Sequence, residues 1–463
     1  MKATLRALRS VRSQDTIRRL RGAVVAMCLL SLGGAARPAS ADSVRLLKGA
    51  ADAAEARARL VVEAKEEILA AYFIVGDDPF SMTALALLRD AARRGVRVRL
   101  MVDAQWNKIP GNVQAHLLRE GVDLRVYHPF RLLRPGWITR RLHDKLLIVD
   151  GKYLLTGGRN VESPYFDLGR QIRRRDYLDC DVLLEGETAE EARSYFEELW
   201  ESDHVRLSSA RNNTERLAEA ARELDRHQAW IEGRIEAHLE GLIEETLTSG
   251  SPAPPPAEPP GPVEVAKVRF LHDPVAGKGR GRGVGHELRD LLDEARSEVL
   301  IESPYLVPSR SVLAAIDRAL SRGVHIRILT NSLASTDNLF PQAGYVRRRK
   351  DLVRRGVELW EYTGPATLHA KNAVIDGHRL IVGSYNLDPR SEHLNTETAL
   401  VFDSPPLAAR LLAEQQAHLA DSVQIDPRGW PTGATEPFPS IPRWKRCKLR
   451  LVRMVAGLIE GQL

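Results

Sequence analysis

One pattern of reactive side chains occurs twice in this chain of 463 residues. A histidine is followed by a lysine two positions later and by an aspartate five positions after the lysine. The two copies consist of His143, Lys145 and Asp150, and of His369, Lys371 and Asp376. Each copy leads into a glycine-led turn that ends in asparagine, Gly157 to Asn160 and Gly383 to Asn386, so the interval from histidine to asparagine is 17 residues both times (160 − 143 and 386 − 369). A duplicated spacing of this length indicates an internal repeat.

These residue types suit chemistry on a phosphodiester. Lysines can neutralise the non-bridging phosphate oxygens, and asparagine amides can donate hydrogen bonds to them in the transition state. One neutral histidine can attack phosphorus, while the other, protonated, donates to the leaving oxygen and later takes a proton from the incoming alcohol or water. The sequence has no dense cluster of carboxylates, histidines or cysteines at metal-ligand spacing, which favours a mechanism without metal or other cofactor.

The spacing within each motif also predicts which side chains share a surface. Histidine and lysine are two residues apart, so on a strand they would point to the same face of a sheet. The motif aspartates, Asp150 and Asp376, lie at odd spacing from the lysines, and we assign them to holding the strand or turn. Asp179 and Glu397 each begin a later hydrophobic strand, and we expect them to orient the histidines, since a carboxylate bonded to one imidazole nitrogen fixes which nitrogen reacts.

The elements that must position these residues are repeated as well. Residues 91–103 resemble residues 319–331, and both segments read as a helix end, a glycine stop and a strand. Strand-like runs at 68–75 and 299–305 precede them. The fold predicted is α/β: two repeated domains, each a mixed sheet flanked by helices, packed about a pseudo-twofold axis around one shared active site.

Composition shifts divide the chain into five segments. The leader has a basic start, an uncharged apolar run and Ala39-Ser40-Ala41, which fits signal cleavage before Asp42; an uncleaved anchor is the alternative. Residues 249–262 are Pro-rich and predict an extended spacer. The predicted segments are a signal peptide (1–41), a first domain (42–205), charged helices and linker (206–262), a second domain (263–425) and a basic amphipathic tail (426–463).

The charge of the chain is concentrated in the leader. The whole sequence carries 67 Lys and Arg against 61 Asp and Glu, but residues 1–41 hold eight of the basic residues and one of the acidic ones. The remainder has 59 basic and 60 acidic residues, so overall charge gives no support to a nucleic-acid partner. Cys180 and Cys447 are too isolated in sequence to indicate a disulfide framework.

The tail offers a candidate membrane-facing surface. Residues 442–459 combine Lys and Arg with Trp444 and aliphatic residues, as in an interfacial helix on anionic lipid. A helix docked on the body with a basic outer face fits the same pattern. The basic runs 170–175 and 347–350 are typical of solvated surfaces, and Trp137 could line the mouth of the site.

The doubled motif resembles the signature of the phospholipase D superfamily. Segments such as Gly157-Gly-Arg-Asn160, Glu302-Ser-Pro-Tyr305 and Asn395-Thr-Glu397 look most like bacterial cardiolipin synthases of the C type. The resemblance implies that a phosphatidyl group passes through a phosphohistidine to the free hydroxyl of phosphatidylglycerol, with phosphatidylethanolamine as a candidate donor of that group. It carries over His143, Lys145, Asn160, His369, Lys371, Ser384 and Asn386 as site residues.

Three further expectations draw on the resemblance together with the leader and the tail. His143 is the nucleophile and His369 the general acid, and the two halves are unequal because Gly158 stands where the second half has Ser384. The protein is expected to be exported and membrane-associated, on the periplasmic or outer face. Hydrolysis of a phospholipid remains the alternative reaction, and a nuclease is a more distant one.

Overall fold

The computed structural model of the protein describes residues 41–129, 139–166, 176–209, 214–229, 261–275, 282–438 and 441–456. Several predicted features lie outside the described residues: the leader up to residue 40, the linker up to residue 260, the basic run 170–175 and Trp137.

The first half of the chain supplies ten strands. They are β1 (Asp42–Leu47), β2 (Glu67–Tyr72), β3 (Arg97–Asp103), β4 (Asp123–Tyr127), β5 (Arg141–Leu142), β6 (Lys145–Val149), β7 (Tyr153–Gly157), β8 (Tyr177–Leu178), β9 (Asp181–Glu185) and β10 (Val205–Leu207). With β11 (Val263–Val265), eight of these form a nine-stranded sheet in the order β10-β4-β3-β2-β6-β7-β9-β1-β11. β11 lies within the predicted second domain, yet it pairs with β1 of the first sheet.

The second half supplies ten further strands. They are β12 (Val268–His272), β13 (Glu298–Glu302), β14 (His325–Asn331), β15 (Glu358–Tyr362), β16 (Thr367–Leu368), β17 (Asn372–Ile375), β18 (Arg379–Gly383), β19 (Asn395–Thr396), β20 (Thr398–Asp403) and β21 (Ser422–Gln424). Eight of them form a sheet in the order β12-β20-β18-β17-β13-β14-β15-β21.

The two sheets repeat one another strand by strand. In the first, β2, β3 and β4 are mutually parallel and β6, β7, β9 and β1 continue antiparallel. In the second, β13, β14 and β15 are parallel and β17, β18, β20 and β12 are antiparallel. The predicted repeat of two mixed α/β sheets is confirmed.

Helices cover both sheets. They are α1 (Ala50–Glu63), α2 (Pro79–Arg93), α3 (Gly111–Arg119), α4 (Thr188–Trp200), α5 (Val284–Glu294), α6 (Arg310–Ser321), α7 (Leu339–Arg355), α8 (Pro389–His393), α9 (Pro405–Ala420) and α10 (Arg443–Ala456). Residues 214–229 are also helical, and their charged sequence still buries Leu217, Ala220 and Leu224. No helix in the described ranges is both long and apolar enough to cross a membrane.

The two halves share a core. One buried cluster combines β6 and α4 residues such as Leu146 and Phe196 with Val374, Leu400 and Leu411 of the second half. The polar positions of β2 are few, and all six of its residues are buried, as expected for a central strand covered on both faces. The sheets are therefore packed together through apolar surface, which fixes the relative position of the two histidine motifs.

Candidate active site

Two short parallel ladders cross between the halves next to the histidines. β5, just before His143, pairs with β19 of the second half, and β16, just before His369, pairs with β8 of the first half. The ladders are reciprocal, as a pseudo-twofold axis requires. Neither histidine lies on a strand, so the predicted strand placement is wrong for both: each histidine follows a two-residue ladder strand and precedes the long strand of its motif.

The backbone N–H and the Nδ1 atom of His143 are both bonded to the second half. Its backbone N–H donates to the carbonyl of Thr396 at 3.2 Å, and its Nδ1 lies 2.9 Å from Oε2 of Glu397. Both the imidazole and the carboxylate are buried. When the carboxylate is ionised, Nδ1–H donates to it and Nε2 keeps its lone pair.

His369 is held by the first half in the same way. Its backbone N–H donates to the carbonyl of Leu178 at 2.7 Å, and its Nδ1 lies 2.6 Å from Oδ2 of Asp179. The structure therefore places both expected carboxylates on the histidines and adds what spacing could not show, that each carboxylate comes from the opposite half.

The two lysines are buried beside the histidines. Nζ of Lys145 donates to the carbonyl of His143 at 2.6 Å, and Nζ of Lys371 contacts the carbonyl of His369 and lies 2.6 Å from its Nδ1. Burial lowers the pKa of Lys145 to about 7 and that of Lys371 to about 8. An anionic phosphate between them would restore their charged forms.

Burial and neighbouring cations act together on the histidines. Burial, followed by the charges of Lys145 and Lys371, lowers the pKa of His143 well below its ordinary value, and His369 adds to the effect. Burial and then Lys371 also lower the pKa of His369, but Asp179 opposes them. The charges of Lys371 and His369 in the second motif thus act on His143 in the first, so the two motifs belong to one electrostatic site.

The two carboxylates differ in charge state. Burial raises the pKa of Glu397 to about 7, although Lys145 opposes the shift. Burial alone would also raise the pKa of Asp179, but Lys371 and His369 outweigh it and lower the pKa below the ordinary value. His369 thus faces a carboxylate that is firmly ionised, whereas His143 faces one that titrates near neutrality.

Gly158 and Ser384 occupy equivalent positions in the two halves, and each lies against one of these carboxylates. The hydroxyl of Ser384 donates to Oε2 of Glu397 and accepts from the backbone N–H of Thr398 at 3.0 Å. At Gly158 a Cβ would collide with the carboxylate of Asp179. Ser384 therefore supports the carboxylate that holds His143, and the missing side chain at residue 158 leaves room for the carboxylate that holds His369.

The motif asparagines are both buried, but their surroundings differ. Oδ1 of Asn160 accepts from the backbone N–H of Ile74 at 3.2 Å, and its Nδ2 donates to the hydroxyl of Tyr165 at 3.0 Å. That hydroxyl lies 3.4 Å from Nε2 of His369. Among the described residues, Oδ1 of Asn386 is buried without a hydrogen-bond partner.

Aromatic rings surround the histidines, and sequence reasoning gave them no role. Phe73 packs edge-on against His143 with ring centroids 4.9 Å apart. Tyr165 and Tyr177 lie 5.2 and 5.1 Å from the ring of His369. The hydroxyls of Tyr177 and Tyr305 both donate to Asp337, at 3.2 and 3.0 Å, which links the halves at the His369 side of the site. No periodic signal marks these tyrosines, because they lie at strand ends and in loops.

A buried network behind the first motif was also missed. Asp144, between the motif histidine and lysine, accepts hydrogen bonds from the hydroxyls of Tyr195 and Thr396, each at 2.9 Å. Burial raises its pKa to about 7. The guanidinium of Arg159 donates to the carbonyls of Leu47 and Asp179 and so anchors the segment between β8 and β9 that carries the latter. The available signal was the mismatch between copies, since the second copy has Ala370 and Tyr385 at these positions.

The motif aspartates lie away from the histidines at the opposite ends of their strands. Asp150 accepts from the backbone N–H groups of Lys65, Glu66 and Glu67 between 2.8 and 3.3 Å. Asp376 accepts in the same way from residues 296–298. Both have left-handed backbones, with φ of 53° and 51°. These contacts agree with a structural assignment.

The motif glycines lie where strands approach closely. At Gly157 a Cβ would lie 2.5 Å from the carbonyl oxygen of Cys180 and would also meet Asp181, and at Gly383 it would collide with the carbonyl of Thr398. Larger side chains cannot fit without moving a neighbouring strand. These glycines allow β9 and β20, the strands that follow Asp179 and Glu397, to lie against the motif strands.

Comparison with known proteins gives similarities over most of the chain. The family described as "Cardiolipin synthase, PLD-like domain" matches residues 58–200 and 288–419. The chain is 34% identical over 407 residues to cardiolipin synthase C of Escherichia coli (strain K12), covering 78% of this chain and 81% of that protein. It is 25% identical over 427 residues to cardiolipin synthase A of Pseudomonas aeruginosa (strain LESB58), covering 90% and 74%. The solved structure of phosphatidylserine synthase from Haemophilus influenzae Rd KW20 shares the fold, with a TM-score of 0.64 at 15% identity over 91% of this chain and 95% of that one.

Proposed function

The chain belongs to the cardiolipin synthase family with PLD-like domains, and on that basis we propose that it transfers a phosphatidyl group to a hydroxyl of phosphatidylglycerol to make cardiolipin. The observation that carries the proposal is the reciprocal pairing of His143 with Glu397 and of His369 with Asp179, beside two buried lysines. This arrangement supplies a nucleophile, a proton donor and phosphate-neutralising charge at one place.

The unequal carboxylates support different roles for the histidines. The pKa of His143 is held well below its ordinary value by burial and by Lys145, so this imidazole is neutral and its Nε2 can attack phosphorus. Burial and Lys371 lower the pKa of His369 as well, but the ionised Asp179 carboxylate 2.6 Å away opposes that shift and favours the imidazolium form. We therefore assign His143 as the nucleophile and His369 as the general acid.

The proposed reaction has two steps. In the first, Nε2 of His143 bonds to phosphorus, the bond from phosphorus to the head-group oxygen of the donor lipid breaks, and His369 protonates that oxygen. In the second, His369 takes the proton of a phosphatidylglycerol hydroxyl, whose oxygen attacks phosphorus as the bond to His143 breaks. Lys145 and Lys371 balance the phosphate charge in both steps. Asn160 is linked to His369 through the hydroxyl of Tyr165, and Asn386 is its counterpart in the second motif.

The reaction type is tested by product analysis. Purified protein is incubated with vesicles of phosphatidylglycerol, alone or with phosphatidylethanolamine, and the lipids are separated by mass spectrometry. We expect cardiolipin, with free glycerol or ethanolamine identifying the donor. Formation of phosphatidic acid without cardiolipin would replace transfer by hydrolysis. The matched control for loss of a histidine is substitution of His325. This residue is exposed at the start of β14, where it pairs with Glu358.

The histidine roles are tested with a leaving group that needs no proton. With a p-nitrophenyl ester of phosphatidic acid, His369→Ala should release one equivalent of p-nitrophenolate in a burst and accumulate a phosphatidyl-enzyme visible by intact mass. His143→Ala should give neither. A burst in His143→Ala and none in His369→Ala would reverse the assignment.

Export and membrane association are further parts of the proposal. The described fold begins with β1 at Asp42, directly after the predicted cleavage site. We expect the mature protein to start near this residue and to act on the outer side of a membrane. Mass spectrometry of the amino terminus, together with cell fractionation, tests this location, and an intact leader on a protein in the cytoplasmic fraction contradicts it.

A further inference from the structure

The outward face of helix α10 carries an apolar stripe. Trp444, Leu451 and Met454 are 64%, 60% and 68% exposed, and Cys447 between them is exposed as well. At about 100° per residue these four positions fall within roughly 80° of the helix circumference. Large hydrophobic side chains gathered on one exposed face indicate an interaction surface.

The opposite face of α10 already has its partner. Leu449 is buried and packs with Leu333 and Ala343, and Nζ of Lys445 donates to the carbonyl of Ala334 at 3.3 Å. The helix is therefore docked on the body of the protein by its other side. The sequence left open an interfacial helix or a docked helix with a basic outer face, and the structure shows a docked helix whose outer face is both basic and apolar.

Positive charge borders the stripe. Residues 443–456 contain six Lys and Arg and no Asp or Glu. On the helical projection Lys448 lies on one side of the stripe and Arg443 and Arg450 lie on the other, and all three are exposed. An apolar stripe between rows of cations matches a layer of acyl chains beneath anionic head groups. A protein partner would need matching acidic rows on both sides of an apolar ridge.

The position of the helix relative to the catalytic histidines adds to this reading. α10 docks on the segment that begins at Leu333, and four residues further on Asp337 accepts hydrogen bonds from Tyr177 and Tyr305. The ring of Tyr177 lies 5.1 Å from that of His369. The stripe thus lies on a helix that packs against the segment leading to Asp337 and the His369 side of the site.

We propose that the stripe of Trp444, Cys447, Leu451 and Met454 is a docking face for an anionic lipid surface, into which these side chains insert while Lys448, Arg443 and Arg450 contact lipid phosphates. The occupant is the membrane itself. This face acts in binding, independently of whether the site transfers or hydrolyses, so it can be tested without turnover.

The exposed thiol gives a direct probe. Cys180 is buried, so in a Cys28→Ser background an environment-sensitive fluorophore should label Cys447 selectively. Vesicles of phosphatidylcholine with and without phosphatidylglycerol are then titrated into the full-length protein. We expect a blue shift and an intensity rise only with phosphatidylglycerol, and weaker binding as salt is raised.

Variants in unlabelled protein separate the two contributions. In vesicle sedimentation, Leu451→Ser with Met454→Ser should weaken binding about tenfold or more, and Lys448→Gln with Arg450→Gln should weaken it about fivefold per charge. The matched controls are Val62→Ser and Leu207→Ser, which remove equally exposed hydrophobic side chains from other surfaces and should bind as the unmodified protein does. Circular dichroism melting confirms that each variant is folded.

Two results would overturn the proposal. One is equal vesicle binding by the stripe variants and the unmodified protein. The other is a change in oligomeric state on size exclusion without any change in vesicle binding, which would assign the stripe to contact between copies of the chain. If the unmodified protein binds vesicles but makes no cardiolipin, that result counts against the proposed reaction and does not contradict the docking face.

Discussion

Replacing Glu397 by glutamine tests the exchange of carboxylates between the halves. Glu397 is fully buried, its Oε2 lies 2.9 Å from Nδ1 of His143, and its Oε1 accepts from Asn395 at 3.2 Å. Glutamine preserves the shape but replaces one oxygen by an amide donor. A hydrogen bond to a charged group contributes about 1.5–3 kcal/mol, and each 1.36 kcal/mol is a factor of ten in rate. We expect kcat to fall about 10- to 150-fold.

The matched variant Ser384→Ala removes the hydroxyl that donates to the same carboxylate and accepts from the backbone N–H of Thr398. Because Ser384 acts on His143 only through Glu397, we expect a smaller effect of about 0.5–1.5 kcal/mol on the barrier, a loss of about 2- to 10-fold. Asp179→Asn provides the counterpart in the other half, because it should impair His369 and leave His143 oriented. Together the three variants show which carboxylate orients which histidine.

The assay is single-turnover release of p-nitrophenolate from the p-nitrophenyl ester of phosphatidic acid, combined with nitrogen NMR of histidine-labelled protein. Glu397→Gln should slow the burst and change the tautomer signal of His143 alone. Asp179→Asn should leave the burst nearly unchanged, since this leaving group needs no proton. A burst that is unaffected by Glu397→Gln, or a tautomer change at His369 instead, would refute the crossed pairing.

Three further outcomes are expected. Gly158→Ser should displace the carboxylate of Asp179 and reduce cardiolipin synthesis at least about tenfold with a preserved far-ultraviolet spectrum; activity equal to that of the unmodified protein would contradict the close contact. The pH profile of kcat/KM should be a narrow bell, falling below about 7 as Glu397 takes a proton and falling again from about 7 to 8 as Lys145 and then Lys371 lose theirs, and a flat profile from pH 6 to 9 would count against these assignments. Asp376→Asn should cost about 1–2 kcal/mol of unfolding free energy in urea at pH 7, because hydrogen bonds that outweigh burial lower the pKa of Asp376 to about 2. This contribution to stability is present above the ordinary carboxyl pKa and is lost as the pH falls through about 2. An equal difference in unfolding free energy between the two proteins at pH 7 and at pH 2 would contradict it.

The repeated fold was predictable because periodicity and repetition act locally. Val98, Leu100 and Val102 alternate on β3 as Ile326 and Ile328 do on β14, and the glycine stops before both strands are visible in the sequence. The expected carboxylates, Asp179 and Glu397, could be found because each lies just ahead of a hydrophobic strand after its motif, although neither is on that strand in the structure.

The remaining features depend on contacts between halves and leave no periodic trace. Spacing alone cannot show that His143 bonds to a residue 254 positions away, and it placed the histidines on strands although they lie at breaks between a crossing ladder and a core strand. Of the tyrosines around His369, Tyr165 ends a short 3-10 helix and Tyr177 begins the two-residue strand β8, elements too short to leave a periodic pattern. Burial at Lys145 is likewise a product of packing, so its lowered pKa has no counterpart in the sequence.

The crossed ladders also set the order in which the site can be completed during synthesis. His143 is made early, but the carboxylate that orients it is 254 residues further along the chain. A ribosome must therefore complete nearly all of both halves before that imidazole has its partner. An incomplete chain thus carries all of its first motif without the contact that orients the histidine.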